Sequence, residues 1–273
     1  MIKVVCDDNI HHLQNILSAN EYYVEALIKS KLRLPHLRDI PHIWVMYGGD
    51  GKLCAAVHIM GKETAISFAD GANARNIDYD ELIAFIRFNM PNGSIFCDRR
   101  LGQGIYDRIG KYYGKYSADS GNFMYYGKKQ FPNIHMSGYK LVKQPSVERV
   151  YRAMCDLFPG YGEWIPFDEF YTTTIYKRNH DEAIIVAVED GGEYVGVGGC
   201  YSFGDRVVGL SGIAVAENYR RKGVASEIVS VLTREVLKRN RIPVLSSATP
   251  ASDLLYSKQG YNRQRQWIII DVE

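Results

Sequence analysis

The segment that most constrains the fold is a long amphipathic helix predicted over residues 223–240, between strands predicted over 207–215 and 244–248. Its apolar residues recur at helical spacing, at Val224, Ile228, Val231, Leu232, Val236 and Leu237. Antiparallel strands can be joined by a tight turn, whereas parallel strands need a crossover connection. Because this helix connects two strands, we expect them to form a parallel pair within one sheet.

The other strands of the C-terminal half are expected to be antiparallel. Three apolar runs separated by short turns predict a meander, with strands over 183–188, 194–203 and 207–215. The elements predicted around it are a strand over 137–142, helices over 147–157 (with Ser146 as N-cap), 167–176 and 251–258, and a strand over 266–272. The expected fold class is therefore α+β, with a mixed, mostly antiparallel central sheet flanked by helices.

The N-terminal half follows the same order more faintly. Strands are predicted over 43–47, 53–60, 64–68 and 94–97, with a helix over 79–88 before the last of them. A chain of 273 residues favours two domains over one. We therefore expect an α/β domain over 1–135 and a second domain over 136–273, related to each other by an internal duplication.

Composition and charge argue against several classes of partner. The chain has 33 Lys and Arg against 31 Asp and Glu, and a net charge of +2 provides no general attraction for nucleic acid. No stretch approaches the roughly 20 apolar residues of a membrane span. The five cysteines are widely spaced and form no CxxC pair, which predicts neither a metal site nor a disulfide framework and favours a reducing cytoplasm.

The candidate site is the turn between the strand that ends at Val215 and the long helix. This turn contains Arg220, Arg221, Lys222 and Gly223. The first amides of a helix have no acceptors within the helix, and the helix dipole adds partial positive charge there. With three cations on the same turn, the arrangement is typical of a pyrophosphate site, and a merely solvated basic turn is the alternative.

The turn resembles a motif of the GCN5-related N-acetyltransferase (GNAT) superfamily, Q/R-x-x-G-x-G/A, which appears here as R-x-x-G-x-A at 220–225. The stretch L-Y-x-x-x-G-Y at 255–261 is similar to the L-Y-x-x-x-G-F segment of that family. The resemblance covers residues 136–273. Residues 70–75 hold the equivalent place in the N-terminal half and lack the basic turn, so that half resembles a degenerate copy in a tandem GNAT protein.

The resemblance implies acetyl-CoA as the donor substrate and no metal. The backbone of Ile213, Ala214 and Val215 would bond the pantetheine arm, and an amide there would polarise the thioester carbonyl. Thr249 would contact the same ligand, and Tyr256, a phenol that stays protonated near neutral pH, would protonate the leaving thiolate. The residues implied in phosphate binding are Arg220, Arg221, Lys222, Gly223, Val224, Ala225 and Ser226.

Two departures from the family pattern leave parts of the mechanism open. Thr249 stands where the family often has Asn, and it offers a hydroxyl in place of an amide. Residues 209–213, where the family often carries a carboxylate base, contain none, so water, a backbone carbonyl and a residue elsewhere remain as candidates. The loop over 158–164 is interpreted either as a wall of the acceptor pocket or as a packing loop.

Together these features favour an enzyme, an N-acetyltransferase that moves an acetyl group from acetyl-CoA to the primary amine of a small acceptor by direct attack. The alternative is an acyl-CoA-binding or sensing module without turnover. The identity of the acceptor, the acyl chain length and the oligomeric state are left open by the sequence.

Two further features are given structural interpretations. The charged run at 98–100 is interpreted as solvated surface charge. Three glycines at 196, 198 and 199 are interpreted as relief of crowding on a strand beside a ligand or a bulge.

Overall fold

The structure is a computed structural model that describes residues 1–19, 21–35, 42–72, 75–128, 130–134 and 136–273. It divides into two compact units, the first made of residues 1–123 with 264–273 and the second of residues 124–263. The boundary expected after residue 135 falls on a position outside the described residues. The continuous part of the first unit ends at Phe123, and residues 264–273 also belong to this unit, since Trp267–Val272 pair with one of its strands.

The first unit contains a mixed sheet with helices. Its elements are β1 (Ile2–Val4), α1 (Ile10–Ala19), α2 (Tyr23–Leu32), β2 (Ile43–Tyr47), β3 (Leu53–Met60), β4 (Glu63–Phe68), α3 (Tyr79–Asn89), β5 (Gly93–Asp98), α4 (Arg99–Ile109) and the first part of β6 (Tyr116–Tyr126). The strands pair in the order β1-β2-β3-β4-β5. All of these pairs are antiparallel except β4 and β5, which are parallel and are connected through α3.

The second unit has the same construction. Its elements are β7 (Lys140–Val142), α5 (Val147–Leu157), the short α6 (Tyr161–Trp164), α7 (Phe167–Asn179), β8 (Ile184–Asp190), β9 (Glu193–Phe203), β10 (Val207–Val215), α8 (Val224–Lys238), β11 (Ile242–Ser247), α9 (Pro250–Gln259) and the start of β12 (Tyr261–Val272). The strands pair in the order β7-β8-β9-β10-β11. Only β10 and β11 are parallel, and α8 is the crossover between them.

The two units therefore repeat one order of elements, apart from the added α6. In both, a strand and two helices lead into a three-stranded meander, and a helix, a parallel strand, a further helix and a final strand follow. This confirms the predicted α+β fold class and the parallel pair that the long helix indicated. The final strand β12 ends in the first unit, where Trp267–Val272 pair antiparallel with β5.

Helix α8 packs unusually close to the sheet of the second unit because two glycines lie beneath it. A Cβ atom on Gly196 would lie 2.5 Å from Val224 Cγ1, and one on Gly198 would lie 2.6 Å from Ile228 Cγ2. Real Cβ atoms do not approach that closely, so any larger residue would push the helix away. The sequence predicted that these glycines relieve crowding beside a ligand or a bulge. In the structure the atoms that would be crowded at Gly196 and Gly198 are side-chain atoms of α8.

Several elements of the first unit were not predicted, among them α4 and β6. Helix α4 includes the charged run interpreted as solvated charge, and Asp98 caps it by accepting a hydrogen bond from the Arg100 amide (2.8 Å). Strand β6 begins with largely exposed polar residues and lacks the apolar alternation that marks a strand in the sequence.

Candidate active site

Strand β10 separates from its parallel neighbour part-way along its length. The pairing with β11 runs from Val207 with Ile242 to Leu210 with Leu245, and β10 then continues for five more residues, to Val215. The backbone edge of residues 211–215 therefore has no partner in β11. Ile213, Ala214 and Val215, the residues implied in pantetheine binding, all lie on this open edge.

A bulge interrupts the other side of the same segment. The pairing of β10 with β9 shifts register between Ser211 and Ala214. Between them, Gly212 has a φ of +62°, and a Cβ there would lie 3.2 Å from Met154 Cε. A left-handed residue in this tight space favours glycine. A bulge of this kind re-aims backbone groups next to a site, and an isolated glycine within an apolar strand was its signal in the sequence.

The turn after β10 presents a row of unpaired backbone amides. Arg221 and Gly223 both have left-handed backbones, with φ of +63° and +85°, and Gly223 is the N-cap of α8. The Arg220 amide donates to the Glu217 carbonyl (3.1 Å), and the first helical bond is from the Glu227 amide to the Gly223 carbonyl (2.9 Å). Within the described part of the chain, the amides of residues 221–226 have no backbone acceptor. They are free for an anion.

Two of the three cations of the turn, Arg220 and Lys222, contact neighbouring groups. Arg220 Nε donates to the Val215 carbonyl (3.2 Å), which ties the turn to the end of the open strand. Lys222 Nζ lies 5.3 Å from the centre of the Tyr219 ring. The Tyr219 hydroxyl donates to Asp190 Oδ2 (2.8 Å), and this bond raises the pKa of Tyr219 above its usual value. Tyr219 and Asp190 were not identified from the sequence, because the two hydrogen-bonded residues are 29 positions apart in the chain.

Thr249 is the N-cap of α9. Its hydroxyl accepts a hydrogen bond from the Ser252 amide (3.1 Å), and its own amide donates to Ser252 Oγ (3.1 Å). Together the two bonds form a capping box. The threonine in place of the family's asparagine thus has a local structural role at the start of the helix.

Tyr256 lies on α9, which follows directly from the strand β11 that borders the open edge. Its residue exposure is 7% and it belongs to the apolar cluster of the second unit. The ring centre is 6.1 Å from that of Tyr261, whose hydroxyl hydrogen bonds with Thr233 Oγ1 (2.6 Å). Burial raises the pKa of Tyr261 well above its usual value.

The segment at 158–164 is partly packed against the second unit. Tyr161 is buried and forms aromatic contacts with Tyr151 and Phe170. Trp164 and Glu163 are exposed. The loop therefore packs one ring on the unit and presents another ring and a carboxylate to solvent.

Searches for two other kinds of site gave negative results over the described residues. No group of three or more His, Cys, Asp or Glu side chains there could hold a metal ion. Likewise, none of the helices described is both long and apolar enough to span a membrane.

An open strand edge, a bulge and a cationic turn with unpaired amides follow one another in the second unit, and their chemistry suits a phosphorylated ligand with an extended arm. Residues 147–261, which contain all of these features, match the acetyltransferase (GNAT) family. Residues 147–261 therefore form a domain of this family, as the motifs predicted. The match supports acyl transfer in general, and the family uses acetyl-CoA as its co-substrate. No curated protein matched the chain.

Solved structures extend the likeness to the whole chain. A Drosophila protein shares 12% identity over 100% of this chain and 98% of its own, with a TM-score of 0.72. A GCN5-related N-acetyltransferase from Sphaerobacter thermophilus shares 14% over 99% and 94%, with a TM-score of 0.65. A tandem GNAT protein from the clavulanic acid biosynthesis pathway shares 12% over 99% and 98%, with a TM-score of 0.61. At these identities the likeness concerns the fold, and it agrees with a degenerate GNAT-like first half.

Proposed function

We propose that this protein transfers an acetyl group from acetyl-CoA to the primary amine of a small acceptor. The observation that carries the proposal is the row of unpaired amides at residues 221–226, on a turn with three cations, next to the open edge of β10. A diphosphate and an extended arm match this pair of features in charge and in shape.

The binding roles follow from the position of each group. The phosphates accept hydrogen bonds from the amides of residues 221–226, and Arg220, Arg221 and Lys222 neutralise their charge. The pantetheine arm pairs with the backbone of Ile213–Val215 as an added strand would. The Thr249 hydroxyl, which already accepts the Ser252 amide, donates its proton toward the ligand.

The chemistry is a direct attack on the thioester. The amine nitrogen forms a bond to the acetyl carbonyl carbon, and the bond from that carbon to sulfur breaks. A backbone amide at the bulge stabilises the charge that develops on the carbonyl oxygen. Tyr256 gives its proton to the departing thiolate and recovers one from solvent, and the nitrogen loses a proton as the amide product forms.

The proton of the amine leaves to water in this proposal. Strand β10 carries no carboxylate along its length, from Val207 to Val215. A base held elsewhere would need to reach the acceptor, whereas bulk water is available to an amine that enters from solvent. Rates should then depend on the fraction of the acceptor that is already a neutral amine.

A second candidate is an acyl-CoA-binding module without turnover. It is favoured by the burial of Tyr256, at 7% exposure, and by the engagement of Thr249 in its capping box. Both candidates require acetyl-CoA to bind at the turn. They differ only in whether thiol is released.

The test is to incubate the protein with acetyl-CoA and a panel of small amines and to follow free thiol. Amine-dependent thiol release is expected. Binding of acetyl-CoA by calorimetry with no thiol release on any amine would favour the module, and the absence of binding would contradict both candidates.

A variant pair locates the site. Gly223→Glu adds bulk and negative charge at the turn and should lower acetyl-CoA affinity at least about a hundredfold. Gly160→Glu is the matched control, because Gly160 is also a left-handed helix N-cap (φ +80°) in the same unit and has open space around it. Equal affinity in the two variants would contradict the site.

A further inference from the structure

The first unit contains an open cavity of about 450 Å³ that shares no residue with the turn described above. It is lined by Asp98, Arg99, Arg100, Gln103, Arg265 and Gln266. The first four come from the end of β5 and the start of α4, and the last two come from β12. The cavity is thus built from segments far apart in the sequence, which is why its charged run appeared as surface charge in the sequence alone.

The cavity has an excess of positive charge. Three guanidinium groups line it against a single carboxylate, that of Asp98. This carboxylate is already engaged, because Oδ1 accepts the Arg100 amide (2.8 Å) and Oδ2 lies 3.8 Å from Arg265 Nη1. At that distance the ion pair leaves most of the Arg265 donors available.

Neighbouring groups orient two of the arginines without using up their donors. Arg99 Nη1 donates to Ser120 Oγ (3.3 Å). The Arg265 guanidinium lies over the Tyr22 ring, 4.2 Å from its centre, and Tyr22 is in turn hydrogen bonded by Gln264 Nε2 (2.9 Å). Within the described residues, the Arg100 guanidinium has no hydrogen-bonding or ion-pair partner. A guanidinium has five donors, so many remain for a ligand.

The duplication relates residues near this cavity to residues of the candidate site in the second unit. Helix α4 carries Tyr106 four residues before Gly110, the same spacing as Tyr256 and Gly260 on α9. Arg99 precedes Tyr106 by seven residues, as Thr249 precedes Tyr256. The cavity therefore occupies the position in the first unit where the second unit carries the proposed acetyl-CoA contact, with arginine in place of threonine.

We propose that this cavity binds a small organic phosphate, a ligand separate from acetyl-CoA at the other turn. Guanidinium groups pair with phosphate through two parallel hydrogen bonds, and a dianionic phosphate group matches the local excess of positive charge. The volume lies within the about 300–1,000 Å³ of small-molecule sites, and it exceeds the need of inorganic phosphate alone. Gln103 Nε2 already donates to Asp107 Oδ1 (2.9 Å), so Gln103 Oε1 and the amide of Gln266 are the groups suited to hydroxyl groups on the organic part.

The test is calorimetric titration of the full chain with glycerol 3-phosphate, using glycerol and citrate as comparison ligands. Saturable binding of glycerol 3-phosphate that weakens with added salt is expected, with none for glycerol. Arg100→Gln should lower the affinity about tenfold, since it removes one charged donor from an exposed wall. Lys115→Gln is the matched control, because it removes one positive charge from the same unit outside the cavity.

The titration is repeated in Gly223→Glu to separate this site from the acetyl-CoA site. Unchanged glycerol 3-phosphate binding in that variant supports the cavity whether or not acetyl-CoA binds elsewhere. The proposal is overturned if glycerol 3-phosphate does not bind, if citrate binds in its place, if Arg100→Gln and Lys115→Gln have equal effects, or if Gly223→Glu abolishes the binding.

Discussion

The two units share an order of elements but differ where the meander meets the parallel strand. In the second unit, β10 continues five residues beyond its last pair with β11, and its pairing with β9 is broken by a bulge. In the first unit, β4 continues only two residues beyond its last pair with β5, and its pairing with β3 is regular. The same fold therefore offers a long open edge in one unit and almost none in the other.

The turns that follow these strands differ as well. The second unit has a basic turn whose amides at 221–226 are unpaired. The corresponding segment of the first unit, at 70–75, has a single cation, Arg75, in place of three, and its residues 73 and 74 lie outside those described. The two units thus share one fold, and the second unit adds the open edge of β10 and the cationic turn, which together form the candidate site. Three substitutions, each with a control, test this difference between the two units.

The largest expected effect comes from the pair of tyrosines that the duplication relates. Tyr256→Phe should lower kcat about a hundredfold and leave the KM for acetyl-CoA nearly unchanged, because it removes the proton for the thiolate and little binding. Tyr106→Phe, at the matching position of the first unit, should leave kcat unchanged. Steady-state kinetics over a range of pH checks this. Similar effects of the two substitutions would show that Tyr256 has no special chemical role.

The next effect is on stability. Gly198→Val should destabilise the chain by about 2–3 kcal/mol, because the new side chain would collide with Ile228 beneath α8. On β3 of the first unit, Val57 is accommodated in the cluster that includes α3 residues. Gly49→Val is the control, since a Cβ at that position has open space. Urea unfolding measures both variants, and equal midpoints would contradict the close packing of the helix.

The third change concerns acid, and its effect per pH unit is the smallest of the three. His58 on β3 is buried, and burial, together with the nearby Lys31 and His42, lowers its pKa from 6.5 to about 3. Because the folded pKa is the lower one, the stabilisation is complete above about pH 6.5 and is lost as the pH falls toward 3. The expected slope is up to about 1.4 kcal/mol per pH unit.

Urea unfolding at a series of pH values tests this expectation. His58→Leu should flatten the slope between pH 6 and pH 4. In the second unit, His180 is exposed, so His180→Leu serves as the control. An unchanged slope in His58→Leu would mean that other groups govern acid unfolding.

Much of the fold could be predicted because it is encoded in short-range patterns. The predicted bounds of β2, β3 and β10 agree with the structure, since each of these apolar runs adjoins a turn that contains glycine. Helix α4 was not predicted because Gly102 and Gly104 disfavour helix. The structure gives the reason for Gly102, since a Cβ there would collide with Cys97 and Ile268.

The candidate site could be predicted only where it is local in sequence. The basic turn and the helix after it lie in one stretch, so their spacing alone pointed to an anion. The open edge of β10 depends on where β11 stops pairing, and the cavity depends on Arg265 meeting Arg99. Contacts between such distant residues are set by the tertiary fold, and a single sequence does not show them directly.

The return of strand β12 to the first unit has a consequence for biogenesis. Ser94 and Asp271, which hydrogen bond across β5 and β12, are 177 positions apart, whereas the second unit is one continuous stretch. Contacts of such long range slow folding, because a large loop must close before they form. During synthesis we therefore expect the second unit to reach its native state first. In the first unit, which is synthesised mostly earlier, one edge of β5 would stay unpaired until Trp267–Val272 of β12 are made.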